Sequence, residues 1–411
     1  MRRRYVVLAV ALAVALFVVA ANLLGVAPPP PWAPTKIGRN RFSVEPEDAA
    51  AEMGCGWIRM PALQSYIEKD QGYDFSLTDA VVRGAQSNGL DILFTIFPTN
   101  AEKPSDVEAY KKFVKSLVER YDGDGVDDML GLAYPIKHWE VMNEPDMTPE
   151  AIPPEMAEEI PPEIVAFMFK GDARDYFKIL KATYEAVKEA DPEAKVLIAA
   201  PSSLNDRAIE FFDEVFSLGG GQYFDIANLH MIAFEKDYSP ETDFGVGQYK
   251  QLLASHGLGD KPIWITELQL GATSPEGEEK QAEALVKGCV RAFASGVERI
   301  RYQPLKVPSP EAPEPYKAAA LIDESGRKKP GYYAFKTLVD LIGRFESVEK
   351  LEGSCYKFVV EGREVYVVWG DGRLPQELAG EVCVVDVYGN TSKVDASSIA
   401  ISDKPLFVYK D

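Results

Sequence analysis

Two glutamates stand at the ends of apolar segments of the sequence. Glu144 follows the segment 136–142, and Glu267 closes the segment 262–266. Because an ionised carboxylate in such a setting costs free energy unless it is hydrogen-bonded, both positions indicate a chemical role. A carboxylic acid that protonates a leaving oxygen, paired with a carboxylate that attacks an anomeric carbon, cleaves a glycosidic bond with retention of configuration. We therefore take Glu144 as the candidate acid/base and Glu267 as the candidate nucleophile.

The residue before Glu144 has a side chain that suits the same chemistry. Asn143 carries an amide that could hydrogen-bond a sugar 2-hydroxyl. That interaction strengthens as the sugar gains oxocarbenium character in the transition state. Asn143 is therefore a candidate substrate-binding residue.

Short apolar runs that alternate with amphipathic helical segments must position these side chains. This alternation predicts an α/β fold, a (β/α)₈ TIM barrel over residues 35–343, with both glutamates at the C-terminal ends of strands four and seven, where barrel enzymes carry their active sites. A doubly wound sheet is the alternative, but no Gly-rich phosphate turn follows the first predicted strand. The eight predicted strands are 35–38, 56–60, 91–97, 136–142, 195–199, 224–230, 262–267 and 299–305.

The helices between the strands have recognisable start and stop signals. Ser105 and Asp206 are predicted N-caps, and Asn88-Gly89 and His256-Gly257 are predicted C-terminal stops. The predicted helices are 46–53, 77–88, 105–121, 173–190, 206–217, 244–256, 278–295 and 332–342.

Two further regions differ in pattern from the barrel. From about residue 346 the apolar period becomes two, which predicts a small antiparallel β-sandwich domain over 344–411. The segment 147–171, rich in Pro and Glu, is long for a loop after a strand. It could cap a substrate cleft or be a surface insertion.

The N-terminus has the pattern of an export or anchoring segment. Three arginines, Arg2 to Arg4, precede a long uncharged apolar run within residues 1–27, and a Pro-rich linker follows at 28–34. Because nothing polar interrupts it, the run fits a cleaved signal peptide or an uncleaved membrane anchor better than a buried helix of a soluble protein. Either interpretation predicts an extracellular protein, secreted or held by this helix on the outer face of the cytoplasmic membrane.

Composition bounds the partners and cofactors. With 46% hydrophobic residues and a formal net charge of −20, the chain suits a globular fold and is an improbable binder of nucleic acid. Its three histidines and four cysteines lack metal-site spacing, so neither a metal nor another cofactor is predicted. Cys355 and Cys383 could form a disulfide within the C-terminal domain or remain two buried thiols, and the sequence leaves the pairing of all four cysteines, including Cys55 and Cys289, undetermined. The sequence leaves the oligomeric state undetermined.

Asn143-Glu144-Pro145 on strand four and Thr266-Glu267 on strand seven resemble glycoside hydrolase clan A, the four-seven barrel superfamily. Further stretches resemble its family 39, the type of the β-xylosidases and α-L-iduronidases and their uncharacterised relatives. The tail 386–390 resembles the β-domain that such enzymes often carry. The stretches that carry the family 39 resemblance are 54–59, 73–75, 139–146, 190–196 and 261–267.

The resemblance implies roles for individual residues. Glu144 would be the acid/base, Glu267 the nucleophile and Asn143 the ligand of the 2-hydroxyl. Arg59, at the end of strand two, would be the cation that keeps Glu267 ionised. A strand-end ion pair between Arg59 and another acid is the alternative.

Two positions depart from the clan pattern. His230 matches the strand-six histidine that borders the sugar site, although Ile232 replaces the tyrosine expected two residues later, and a core histidine is the alternative. Tyr302 stands where the strand-eight tryptophan usually floors the sugar, and a tyrosine ring can also stack on a sugar face. These departures bear on the substrate more than on the mechanism.

Three activities are compatible with these residues. The first is hydrolysis of β-linked oligo- or polysaccharides through a covalent intermediate, with carbohydrate as the partner. The second is transglycosylation, which is the same chemistry with a sugar acceptor. The third is a catalytically inactive barrel that binds carbohydrate at the cell surface, suggested by Ile232 and Tyr302.

Overall fold

The computed structural model describes residues 40–151, 168–239, 242–307, 309, 312 and 314–410. The predicted N-terminal segment 1–27, the linker 28–34 and the predicted first strand 35–38 lie outside the described residues, as does most of the segment 147–171. Within the described ranges, no helix is both long enough and apolar enough to cross a membrane. The chain divides into two compact units, whose described parts are 57–230 with 248–266, and 40–56 with 231–247 and 267–410.

The first unit contains a four-stranded parallel sheet. Its strands, in spatial order, are Trp57–Leu63, Asp91–Phe97, His138–Val141 and Lys195–Ile198. The register places Glu140 level with both Thr95 and Leu197. Side chains from different strands therefore meet at this level of the sheet.

In the first unit an apolar layer of side chains is followed along the strands by a polar layer on the same face. Trp57, Leu93, Ile226 and Trp264, with Leu197, form one buried apolar cluster. Burial of each such large side chain contributes roughly 1.5–3 kcal/mol. Residues two apart on a strand share a face, so the same face continues with a polar layer. The members of that polar layer two residues beyond the cluster are Arg59, Thr95, Asn228 and Thr266.

The helices of this unit are amphipathic and bury the side chains along one face. The helix Val107–Glu119 begins at Asp106, whose side chain accepts a hydrogen bond from the Ala109 amide. Its buried residues recur at helical spacing, which is the pattern of an amphipathic helix. They are Tyr110, Phe113, Val114, Leu117 and Val118.

A second parallel sheet has the strand order Phe42–Val44, Val297–Tyr302, Ile263–Gly271 and Ala227–Phe234. The division between the units falls within the last two strands, after Thr266 and after His230. Phe42 packs edge-on against Phe293 and Phe335, from the helices Pro275–Ala294 and Pro330–Ile342. The parallel strands and intervening helices confirm the predicted α/β architecture.

The predicted helix caps lie within one residue of the observed ones, whereas the predicted helix bounds differ from the observed bounds by up to four residues. Gly89 and Gly257 have φ of 72° and 70°, the left-handed geometry that ends a helix, as predicted. The N-caps are Asp106 and Asn205, whereas Ser105 and Asp206 were predicted. In each case the neighbouring side chain accepts the amide hydrogen bond. The helices are Ala50–Met53, Gln64–Ile67, Ser76–Ser87, Val107–Glu119, Ala173–Ala190, Asp206–Ser217, Val246–Ser255, Pro275–Ala294, Glu314–Ala319 and Pro330–Ile342.

The C-terminal region forms one six-stranded antiparallel sheet, so the predicted sandwich of two facing sheets is wrong. Its second face is covered by residues outside the strands, such as Leu374, Leu378 and Ile399, which pack on the buried cluster around Tyr366. An apolar period of two in the sequence shows that successive side chains lie on opposite faces of a sheet, but it does not show which residues cover each face. In spatial order the strands are Phe345–Lys350, Cys355–Val360, Arg363–Val368, Leu406–Tyr409, Glu381–Asp386 and Thr391–Asp395.

The four cysteines are buried and none of them forms a disulfide, which decides between the two alternatives left by the sequence. Burial raises the pKa of the Cys355 thiol to about 11. A thiol of that pKa is protonated at neutral pH and has little reactivity. These cysteines therefore behave as small apolar core residues.

Candidate active site

The polar layer of the first unit is organised around one buried carboxylate. Glu140 is fully buried and accepts hydrogen bonds from Arg59 at 2.6 and 3.0 Å, Thr95 at 2.5 Å and Asn228 at 2.6 Å. The Thr266 hydroxyl also lies 3.4 Å from Glu140 Oε1. A buried ion is tolerated only when it is paired and hydrogen-bonded, and these donors meet that condition.

Arg59 connects this carboxylate to Asn143. One Arg59 nitrogen, Nη2, donates both to Glu140 Oε1 and to Asn143 Oδ1, the latter at 2.7 Å. The second bond fixes which way the Asn143 amide is turned. The strand-end ion pair that the sequence offered as an alternative for Arg59 is therefore present, with Glu140 as the acid. The role of Arg59 towards Glu267 stays a prediction.

The backbone that carries Glu144 is strained. Met142 and Glu144 have φ of 66° and 41°, in the left-handed region that residues other than glycine rarely enter. Hydrogen bonds from Met142 N to Ile96 O at 3.0 Å and from Met147 N to Glu144 O at 2.9 Å hold this conformation. Strain of this kind persists only where the surroundings fix it, and it clusters at functional sites.

His230 links Glu144 to the seventh parallel strand. Its Nδ1 lies 2.7 Å from Glu144 Oε1, and its Nε2 lies 2.9 Å from Thr266 Oγ1. Both Glu144 and His230 are 1% exposed. Which ring nitrogen donates depends on the tautomer. His230 therefore orients the Glu144 carboxyl, and Thr266, its other partner, directly precedes Glu267.

The loop after Glu144 is held through Asp146. Its buried carboxylate accepts hydrogen bonds from the Ser202 amide at 2.9 Å and from the Ser202 hydroxyl. Arg207 donates to the Asp146 carbonyl at 2.7 Å and contacts Met147 Sδ at 3.2 Å. Burial raises the pKa of Asp146, and the bonds from Ser202 and the charge of Arg207 only partly oppose this.

This raised pKa gives the protein a measurable pH dependence. In the folded state Asp146 keeps its proton at pH values where the unfolded chain has lost it, so its contribution to stability is full below about pH 4 and is lost as pH rises. In the variant Asp146→Asn the amide stays neutral at every pH. We expect the thermal midpoint of Asp146→Asn, minus that of the wild type, to increase from pH 4 to pH 7. Asp260→Asn, at an exposed aspartate, is the control, and a pH-independent difference for Asp146→Asn would contradict the assignment.

In the second unit a chain of buried polar contacts leads to Glu267. Gln303 Nε2 donates to Glu267 Oε2 at 2.6 Å, and Gln303 Oε1 accepts from Arg301, which pairs with Glu45 at 2.9 Å. Neither Gln303 nor Arg301 was predicted as a site residue. The available signal was their spacing, because two polar residues two apart in a buried strand must share a face.

Tyr302, between them, points to the opposite side of the strand, and this corrects its predicted role as a sugar platform. It is fully buried, its ring packs on Phe335 with 5.7 Å between centroids, and its hydroxyl donates to Ala319 O at 2.7 Å. The ring and the hydroxyl are both engaged within the core. The side chain that contacts Glu267 is therefore that of Gln303, directly after the strand Val297–Tyr302.

A further acidic cluster lies in the first unit. The carboxylate oxygens of Glu119, Asp122 and Asp124 lie within 4.8 Å of one another. Acidic groups on the surface often gather without an ion, so this cluster alone assigns no metal.

No family model matches the chain, and no curated protein matches it. Solved structures do. A family 39 glycoside hydrolase from Bacteroides cellulosilyticus WH2 matches with a TM-score of 0.63 and 14% identity, covering 91% of this chain and 82% of that one. A GH39 enzyme from Xanthomonas axonopodis pv. citri matches with a TM-score of 0.60 and 14% identity, covering 92% and 95%.

A glycoside hydrolase family 30 subfamily 8 xylanase from Clostridium acetobutylicum matches with a TM-score of 0.58 and 15% identity, covering 90% of this chain and 95% of that one. At such identities the similarity establishes the fold. The chain therefore has the fold of family 39 and family 30 glycoside hydrolases, and the predicted resemblance to clan A is confirmed at that level.

Proposed function

We propose that this chain, which has the fold of the family 39 glycoside hydrolases, is a retaining glycoside hydrolase that acts on β-linked oligo- or polysaccharides. Glu144 would serve as acid/base and Glu267 as nucleophile. The observation that carries the proposal is the hydrogen-bonded link from Glu144 through His230 to Thr266, the residue before Glu267. A strained, buried glutamate held in this way is costly to maintain for structure alone.

In the first step a Glu267 oxygen attacks the anomeric carbon while Glu144 gives its proton to the departing glycosidic oxygen. The bond between the anomeric carbon and the leaving oxygen breaks, and an ester between the sugar and Glu267 forms. Gln303 donates a hydrogen bond to Oε2 of Glu267. The bond from Gln303 orients the carboxylate for that attack.

In the second step Glu144 takes a proton from water, whose oxygen attacks the same carbon and releases the sugar from Glu267. Two inversions give net retention. His230 holds the Glu144 carboxyl in one orientation for both proton transfers.

Substrate binding is assigned to residues around the two glutamates. Asn143, turned by its bond from Arg59, would bind the sugar 2-hydroxyl. Arg59 would also keep Glu267 ionised, and His230 would border the sugar. The closed (β/α)₈ barrel stays a prediction. The activity of the Clostridium acetobutylicum xylanase supports a β-linked polysaccharide as the substrate class.

We further propose that residues 1–27 direct the chain out of the cytoplasm, either as a cleaved signal peptide or as an anchor in the cytoplasmic membrane. Three arginines before an uncharged apolar run support this assignment. Cell fractionation, with N-terminal sequencing of the mature chain, tests it and distinguishes the two forms.

The stereochemistry of the first product tests the mechanism. We expect the full chain to hydrolyse at least one substrate of a panel of 4-nitrophenyl β-glycosides and β-linked polysaccharides. Proton NMR during the first minutes should show the β-anomer before mutarotation. An α-anomer would contradict the covalent mechanism, and transfer products in the presence of a second sugar would indicate a transglycosylase. Binding without any turnover would favour the inactive carbohydrate-binding barrel.

A further inference from the structure

The second unit contains a cluster of five buried polar side chains, one of which is the proposed nucleophile. Each is at most 7% exposed, so each has lost its hydration. Buried polar groups in native proteins are nearly always hydrogen-bonded, and an exception requires an explanation. The five residues are Glu45, Glu267, Gln269, Arg301 and Gln303.

Four of the five are joined by the contacts already described, from Glu45 through Arg301 and Gln303 to Glu267. Gln303 uses both ends of its amide within this chain of contacts. Gln269 differs. Its Nε2 and Oε1 are both buried, and neither has a hydrogen-bond partner among the residues that the structure describes.

The backbone around Gln269 does not offer a partner either. The carbonyl of Leu268 accepts a hydrogen bond from the backbone N–H of Gln303. The carbonyl of Leu270 accepts from the side-chain Nε2 of Gln281 and from the hydroxyl of Tyr302. The neighbouring acceptors are thus already engaged.

Strand geometry sets the direction of this amide. Gln269 stands two residues beyond Glu267 in the strand Ile263–Gly271, so the two side chains share a face. At the rise of a β-strand they stand about 7 Å apart along it. A sugar ring attacked by Glu267 at its anomeric carbon could therefore extend to Gln269.

We propose that Gln269 is a specificity-determining residue whose side-chain amide binds two adjacent hydroxyls of the sugar attacked by Glu267. An amide has one acceptor oxygen and a donor NH₂ group, which together match one hydroxyl as donor and its neighbour as acceptor. The substrate class is a sugar with two adjacent free hydroxyls on the side of the ring away from the anomeric carbon. This inference rests on the proposed function.

The variant Gln269→Met tests the assignment, because methionine has a similar length and no amide. No protein hydrogen bond is lost in this change, so we expect the thermal midpoint to be unchanged or raised. The control is Gln281→Met, which removes a buried glutamine whose Nε2 does bond a carbonyl, that of Leu270, and which should lower the midpoint without changing sugar discrimination.

The readout is a comparison of the best 4-nitrophenyl β-glycoside with its 3-deoxy and 4-deoxy analogues. In the wild type, removal of a bound hydroxyl should lower kcat/KM at least about tenfold, because the amide would again lack a partner. Gln269→Met should lower kcat/KM for the parent glycoside about 10- to 1000-fold. It should hydrolyse the sensitive deoxy analogue as fast as the wild type does, within about twofold.

The outcomes separate this inference from the function on which it rests. An active wild type with Gln269→Met that keeps the full preference for the parent over the deoxy analogues overturns the role of Gln269 alone. A wild type insensitive to removal of either hydroxyl does the same, independently of any variant. A wild type that hydrolyses no glycoside overturns the proposed function and this inference together.

Discussion

Glu267→Gln is expected to lower kcat/KM for an aryl β-glycoside by at least about 10⁴-fold, because an amide cannot attack the anomeric carbon or form the covalent ester. The bond from Gln303 to Oε2 can still form if the new amide presents its oxygen there, so the fold should survive. Circular dichroism and the thermal midpoint check this.

Glu144→Gln should behave differently towards different leaving groups. A good leaving group such as 4-nitrophenolate departs with little help from an acid, so the first step should be less affected than for an unactivated oligosaccharide. The second step still lacks its base. We expect the initial rate to fall about 10²- to 10⁴-fold, and the fall to be larger for the oligosaccharide than for the 4-nitrophenyl glycoside.

Glu276→Gln, at an exposed glutamate, is the matched control for both changes and should retain wild-type rates. Initial rates on the two substrate types are the measurement. Undiminished activity in both Glu144→Gln and Glu267→Gln would refute the assignment of this pair.

Arg59→Met should be among the most destabilising single substitutions in the first unit. It would remove the cation from Glu140, which is fully buried, and leave an uncompensated charge. Breaking a buried ion pair in this way costs about 3–5 kcal/mol. Denaturant unfolding of the purified variants is the measurement.

Two further variants make this prediction specific. The double variant Arg59→Met with Glu140→Gln removes both charges and should recover part of the loss. Lys115→Met breaks an exposed pair with Glu189 and should lower the free energy of unfolding far less than Arg59→Met does. Equal losses of unfolding free energy in Arg59→Met and Lys115→Met would show that the buried pair of Arg59 and Glu140 contributes no more to stability than an exposed pair does.

The amino-acid sequence identified the elements well where apolar periodicity was long. It also identified Glu144 and Glu267 as candidates, because a glutamate at the end of an apolar strand stands out from solvated acids. Glu140, inside such a strand, carried the same signal and organises the polar layer. Which acid Arg59 pairs with is a tertiary property and could not be read from spacing.

The errors of prediction have a common physical origin. Tyr302 was assigned to the sugar site, whereas Gln303 contacts Glu267, and a shift of one residue exchanges the two faces of a strand. Asn205 rather than Asp206 caps its helix for a comparable reason, since both side chains can accept the same bond. The covering of the C-terminal sheet depends on long-range packing, which local alternation does not report.

The alternation of Arg301, Tyr302 and Gln303 has a consequence for how this strand can change over evolutionary time. The side chains of Arg301 and Gln303 lie on the face that leads to Glu267, whereas Tyr302 packs against the helices on the other face. Each position can therefore vary within its own chemical class. Insertion or deletion of a single residue would exchange the two sets at once, removing both the contact to Glu267 and the packing on Phe335. The length of the strand is therefore more strictly constrained than its composition, and gaps between related chains belong in the loops that flank it.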